Sequence, residues 1–190
     1  SGRFLSGIYL DLFPREGKYG HAAAFGVRSA STAAKRTPIS VLVANLNRKG
    51  LDFREVETLL HEFGHILHGV LSRTRYASQG GTNVERDFVE APSQMFEEWA
   101  RKKESLQLLT GICGGCPAID DALLTGLRAA RVYGAGTRYA RQHLYAAYDL
   151  ALTGERELDP MQTWIAMERE SPAGHVPGTE FPGSFGHLVS

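Results

Sequence analysis

Two histidines four residues apart with a glutamate between them, His61-Glu62-Phe63-Gly64-His65, carry the sharpest chemical signal in the chain. On an α-helix successive residues turn by about 100°, so His61 and His65 lie about 40° apart on one face, one turn above the other. That placement lets one tetrahedral zinc ion accept a nitrogen from each imidazole. Glu62 falls about 100° round from His61, beside such an ion rather than on it, where a carboxylate can hold and deprotonate a water molecule. With 7 histidines in 190 residues, chance would produce this pattern about 0.02 times in a chain of this composition. A solvated helix face with two unrelated histidines is the competing reading, and that arithmetic disfavours it. A purely structural zinc is disfavoured too, since it wants four Cys or His ligands and no adjacent Glu62. His68 lies one turn beyond His65 on nearly the same face. Three ligands stacked on one straight helix do not converge on one tetrahedral centre, so His68 is expected behind a ligand or at the surface.

A catalytic zinc needs a third protein ligand and one open position. Acidic residues of a second helix are the natural source, and Glu85, Asp87, Glu90, Glu97 and Glu98 compete. Spacing does not choose among them. Glu90 stands out because Phe88, Val89, Ala91 and Pro92 flank it, and a carboxylate in such a run is costly to bury unless paired or metal-bound. Glu97 and Glu98, close to Arg101-Lys102-Lys103, read as a solvated face. Glu57, one turn before His61, is a candidate to orient that ligand's other ring nitrogen, with a solvated helix charge as the alternative.

The elements that must position these groups are legible in the hydrophobic period. Apolar residues at 53, 56, 59, 60, 63, 66, 67, 70 and 71 draw one helical stripe. Asp52 is the expected N-cap, and Glu55 three residues on completes a capping box. A second helix is expected over 84–103, with a kink or a broken first turn at Pro92. Before the first helix, residues 7–13, 21–27 and 38–45 read as short strands separated by turns, Pro14-Arg15-Glu16-Gly17 among them. After residues 111–117 come amphipathic segments near 120–131 and 137–152, then a short helix at 161–168. The Pro- and Gly-rich tail over 171–186 reads as a loop. One domain is expected over 1–190: β-rich to residue 50, helical over 51–170, then the tail over 171–190.

Composition excludes several partners. Hydrophobic residues make up 43% and charged residues 22%, which excludes a wholly disordered chain. Twenty-one basic residues balance 21 acidic ones, so the chain offers no net positive field to nucleic acid or to an anionic membrane. No apolar run approaches the roughly 20 residues of a membrane helix. The two cysteines form a lone Cys113-Gly-Gly-Cys116. Half a zinc site and a redox pair are the sharp readings, but no second Cys pair and no thioredoxin-like junction accompany them. A Gly-rich turn with two free thiols is expected, and so few cysteines suit a reducing, cytoplasmic compartment.

Three stretches in register, Tyr9-Leu-Asp-Leu-Phe-Pro-Arg-Glu-Gly-Lys-Tyr-Gly-His21, His61-Glu-Phe-Gly-His65 and Glu85-Arg-Asp-Phe-Val-Glu-Ala-Pro-Ser-Gln94, resemble the thimet oligopeptidase family of zinc metallopeptidases. Neurolysin and bacterial oligopeptidase A are members, and the resemblance runs over essentially the whole chain. It implies an α+β, mainly helical fold: a zincin-like catalytic core with a small β-sheet beside the first helix and a second, ligand-bearing helix. It selects Glu90 as the third ligand of one Zn(2+) per chain and Glu62 as the water-activating glutamate. Arg86, in the same stretch as Glu90, joins Glu57 as a candidate to steady the ligands. Phe185-Gly186-His187 resembles the start of the family's substrate loop, which makes His187 a substrate contact. The Gly-Gly-Tyr…Tyr…Tyr segment expected next has no counterpart, and all 7 tyrosines precede Asp149.

Two functions follow as expectations. The leading one is a zinc-dependent oligopeptidase core that cleaves short peptides, with Glu62 as proton carrier and His187 as oxyanion donor. The other is a zinc- and peptide-binding domain with little turnover, motivated by the missing tyrosines and channel walls. Self-association through apolar faces that would otherwise be covered is expected in either case.

Overall fold

In the computed structural model, residues 2, 4–113, 115–116 and 119–188 are described, without the side chains of Leu109 and His187. They gather into two compact units, Ser1–Leu124 and Thr125–Ser190. The fold is α+β and mainly helical, with one small sheet. Among the described residues no helix is long and apolar enough to cross a membrane.

The first unit opens with the sheet. Strands β1 (Gly7–Asp11), β2 (Ala23–Arg28) and β3 (Ile39–Val43) lie in the order β1-β3-β2. β1 runs parallel to β3, from Gly7 opposite Ile39 to Asp11 opposite Val43. β2 runs antiparallel to β3, with an irregularity between Gly26 and Arg28. Central β3 has the β-branched, apolar composition that suits a covered strand. Its Leu42 is wholly buried, and the edge strands stay partly exposed.

Lys18 pins the turn that follows β1. Its side chain is 2% exposed, and Nζ donates to the Asp11 and Phe13 carbonyls, the Asp11 carboxylate and the Ala44 carbonyl. A buried ammonium is tolerable only when it is saturated with acceptors in this way. Hydrogen bonds from Arg15, then from Lys18, hold the Asp11 carboxyl below its ordinary value.

Helix α1 (Phe53–Val70) begins at the expected cap. Asp52 accepts from the Glu55 N–H at 2.8 Å, and Glu55 accepts from the Asp52 N–H at 2.9 Å. The other Glu55 oxygen accepts from the Asn47 N–H at 2.8 Å, tying the helix start to the strand exit. The apolar stripe does what its period requires. Ile66 and Val70, with Leu59, Phe63 and Leu67 beside them, pack on Leu42, Ala44 and Leu46. This leaves the His61–His65 face of α1 pointing away from the sheet.

The single helix expected over 84–103 is instead three pieces: α2 (Arg86–Val89), α3 (Ala91–Glu97) and a 3-10 turn (Glu98–Arg101). Pro92 sits in the first turn of α3, where its missing N–H costs nothing. Helix α4 (Lys103–Ile112) follows, and α5 (Asp121–Val132) begins after it. The two free thiols expected at 113 and 116 are not found. Cys113 and Cys116 are joined in a disulfide, their Cα atoms 5.5 Å apart, because the i,i+3 spacing brings them within bonding range. The pair therefore no longer argues for a reducing compartment.

The second unit centres on α6 (Ala135–Leu152) and α7 (Pro160–Glu170). Leu144, Tyr148 and Trp164 are its buried core. The tail is not wholly loop, since a 3-10 turn (Phe181–Ser184) sets the Phe181 ring 4.5 Å from Trp164 and 4.9 Å from Tyr145. Glu168 is 5% exposed and accepts from Arg141 of α6 and from His175 Nδ1 at 2.7 Å. Burial alone would raise its pKa, but the hydrogen bonds from His175 and Arg141 together hold it below the ordinary glutamate value. The carboxylate form is thus favoured by folding, so its stabilisation is complete above the unfolded pKa and is lost as pH falls through the folded one. Glu168→Gln is expected to cost about 2–3 kcal/mol at pH 7, somewhat less than a fully buried pair because Arg141 is partly exposed. It should also flatten the acid limb of stability. Urea unfolding followed by tryptophan fluorescence, repeated from pH 7 to pH 3, checks both.

Candidate metal centre

The site is set by how closely α1 and α3 cross. A Cβ built on Gly64 would lie 2.6 Å from the Ser93 Cα and 3.0 Å from both the Pro92 carbonyl oxygen and the Ser93 nitrogen. A side chain there would force the Ser93 backbone to shift, so glycine at 64 lets the two backbones come into contact. Ser93, on the α3 side, is fully buried.

This crossing delivers Glu90 to the two histidines. Glu90 is the hinge between α2 and α3, serving as the C-cap of one and the N-cap of the other. Its Oε2 lies 3.2 Å from His61 Nε2 and 3.1 Å from His65 Nε2. The two imidazoles stand edge to face with ring centres 4.9 Å apart. One donor atom from each of His61, His65 and Glu90 falls within 4.8 Å of the others, the spacing of a group that can hold one metal ion. The Glu90 side chain is 47% exposed, which leaves one side of the group open. Glu62, between the histidines in sequence, is buried at 8%.

The groups around the histidines differ from expectation. His61 Nδ1 meets not Glu57 but Glu97 Oε1, at 2.6 Å. Glu57 instead pairs with Arg101, whose guanidinium also lies 5.2 Å from the Phe53 ring centre. The basic neighbours of Glu97 in sequence suggest a solvated face, whereas the structure sets it against His61. The signal that identifies it is its seven-residue distance from Glu90, two helical turns, which returns it to the same face of α3. Arg86 is exposed on α2, and among the described residues it pairs with no carboxylate. His68 lies outside the three-residue group, half-buried, with its ring 6.3 Å from Phe88. Burial, then the neighbouring His65, lowers its pKa and favours the neutral imidazole. The His187 side chain falls outside the described ones.

The geometry can gather a cation between two imidazoles and a carboxylate, with a buried glutamate alongside. It stands or falls with the backbone contact at residue 64. Gly64→Ala forces a methyl against the Ser93 backbone and is expected to destabilise by about 1–3 kcal/mol. Gly126→Ala, on α5 with nothing within 4 Å of the added carbon, should instead stabilise by up to about 1 kcal/mol. Denaturation midpoints of the two variants against the parent test the contrast.

The whole chain is similar to known sequences. The sequence profile of "Peptidase family M3" matches residues 1–190. "Mitochondrial intermediate peptidase, mitochondrial" of Arabidopsis thaliana is 35% identical over 96% of this chain and 28% of its own length. "Thimet-like oligopeptidase" of Dictyostelium discoideum is 35% identical over 100% of this chain and 30% of its own length. "Oligopeptidase A" of Escherichia coli (strain K12) is 32% identical over 96% of this chain and 29% of its own length. The chain thus spans under a third of these relatives. With the profile matched from end to end and the thimet-type relatives aligned over nearly all of it, the chain belongs to peptidase family M3.

Proposed function

We propose that this chain is the zincin-type core of a zinc metalloendopeptidase that hydrolyses peptide bonds in short peptides. The convergence of His61, His65 and Glu90 on one point carries the reading. The donor set fits zinc: two imidazoles and one carboxylate, with one side open, match a catalytic rather than a structural site. The hydrogen bond to Glu97 supports it further, since a carboxylate on Nδ1 keeps the proton there and leaves the His61 Nε2 lone pair free for a metal. A zinc ion held by these three residues, one per chain, would act as a Lewis acid and lower the pKa of a water molecule.

The protein's own groups do the rest. Glu62 takes the proton of the attacking water and passes it to the leaving amine. His61 and His65 are oriented by the stiff middle of α1. Strand β2 lies at the sheet edge. A cleft of about 260 Å³ runs beside it, lined by Phe25, Gly26, His65 and the loop from Gly80 to Asn83. An extended peptide laid along β2 would pair with its free edge, a recognition mode that needs only main-chain groups. His187 is the proposed oxyanion donor, from the family resemblance.

A second reading, a zinc- and peptide-binding domain with little turnover, would use the same three-residue group without the proton transfer assigned to Glu62. Under either reading the substrates or ligands are short peptides. Exposed Leu108 and Ile112 on α4 offer a surface for self-association.

Glu62→Gln separates a peptidase from a metal-binding scaffold. It is expected to keep one zinc per chain and to lower cleavage of a quenched short peptide by at least about 100-fold. Zinc content by atomic absorption and the rate of fluorescence release check it. A variant as fast as its parent rules out Glu62 as the proton carrier.

A further inference from the structure

We infer that Ser93 is a positioning residue: its hydroxyl holds the Glu90 carboxylate in place and thereby sets how tightly the His61–His65–Glu90 group binds a divalent cation. The inference rests on the zinc reading above. Ser93 Oγ lies 2.9 Å from Glu90 Oε2 and 2.9 Å from the Glu90 carbonyl oxygen. Oε2 is the same atom that faces both histidine Nε2 atoms. Beyond the two imidazoles, Ser93 is the one polar partner of that carboxylate among the described residues.

The need for such a partner follows from where Glu90 sits. It occupies a break between two short helices, and its side chain is half-exposed. A glutamate has among the largest rotamer freedoms of any side chain, and all of it must be surrendered on ligation. A hydrogen bond that selects the productive rotamer beforehand removes part of that cost. Ser93 is well placed to supply it, because its own freedom is already gone. Its backbone is pressed against Gly64 and its side chain is fully buried. One residue therefore links the helix crossing to the ligand: the Cα fixes the distance between α1 and α3, and the hydroxyl fixes the carboxylate. A hydroxyl has a single proton for its two acceptors. Donation to the carbonyl three residues back is the ordinary habit of a helical serine; donation to Oε2 is the contact that matters for the ligand.

The experiment is a double-mutant cycle read by zinc affinity, using a competing chelator and the parent, Ser93→Ala, Glu90→Ala and the double variant. Ser93→Ala is expected to raise the zinc Kd about tenfold or more while leaving the metal-free Tm near that of the parent. With Glu90→Ala already present it should change the Kd no further, since there is no carboxylate left to hold. An unchanged Kd in Ser93→Ala overturns the inference, and so does an equal loss in both backgrounds, which marks a general structural effect. Should Ser93→Ala fail to fold, Ser93→Gly, which adds no bulk, carries the same comparison. A parent chain that binds no zinc defeats the metal reading itself, a different result from a parent that binds well and a Ser93→Ala variant that binds equally well.

Discussion

The distance between two helix backbones governs this structure. At Gly64 and Ser93, α1 and α3 touch without an intervening side chain, closer than helices that meet through side chains. Everything chemical depends on that gap. Glu90 and Glu97 stand on either side of the contact, and both reach His61, one at Nε2 and the other at Nδ1. A helix pair held further apart would leave both carboxylates short of the imidazoles. The rotation of α1 about its own axis is set from its opposite side. There Ile66 and Val70 are locked against Leu42 and Ala44 of the sheet. Taking about 100° per residue, the sheet-facing residues and the His61, Gly64, His65 face are roughly opposed, with Glu62 between them. The helix is thus clamped between an apolar contact that fixes its angle and a glycine contact that fixes its neighbour.

What the sequence shows, and what it hides, follows from the range of the interactions involved. The capping box at Asp52 and Glu55, the stripe of α1 and the three strands are local or periodic features, so they read directly from the residues. The His61–His65 pair reads as well, because its geometry is internal to one helix. The second half of the site is different. The break at Glu90 was foreshadowed by Pro92, yet the spacing implied one kinked helix rather than three short pieces. Glu97 looked like a solvent charge because its neighbours in sequence are basic. Its true neighbour, His61, is 36 residues away and meets it only through the crossing at Gly64. Gly64 itself was merely an unspecified position in the motif. Nothing in one dimension announces that its missing Cβ makes room for another backbone.

Buried charge is handled in two ways in this chain, and the contrast bears on function. Lys18 and Glu168 are buried and fully answered: the ammonium by a ring of carbonyls and Asp11, the carboxylate by Arg141 and His175. Such groups are locked, and their task is to hold turns and helices together. The group on α1 and α3 is arranged otherwise. Glu97 holds His61 through Nδ1, and the Nε2 atoms of His61 and His65 both face the Glu90 carboxylate. In the tautomer with the proton on Nδ1, each Nε2 offers a lone pair at the point where Glu90 offers an oxygen. That spacing is what the proposed zinc reading requires of the three side chains, and the exposed side of Glu90 leaves the group open to solvent. The α1–sheet core on one side and the Gly64 contact on the other hold the three side chains at that spacing.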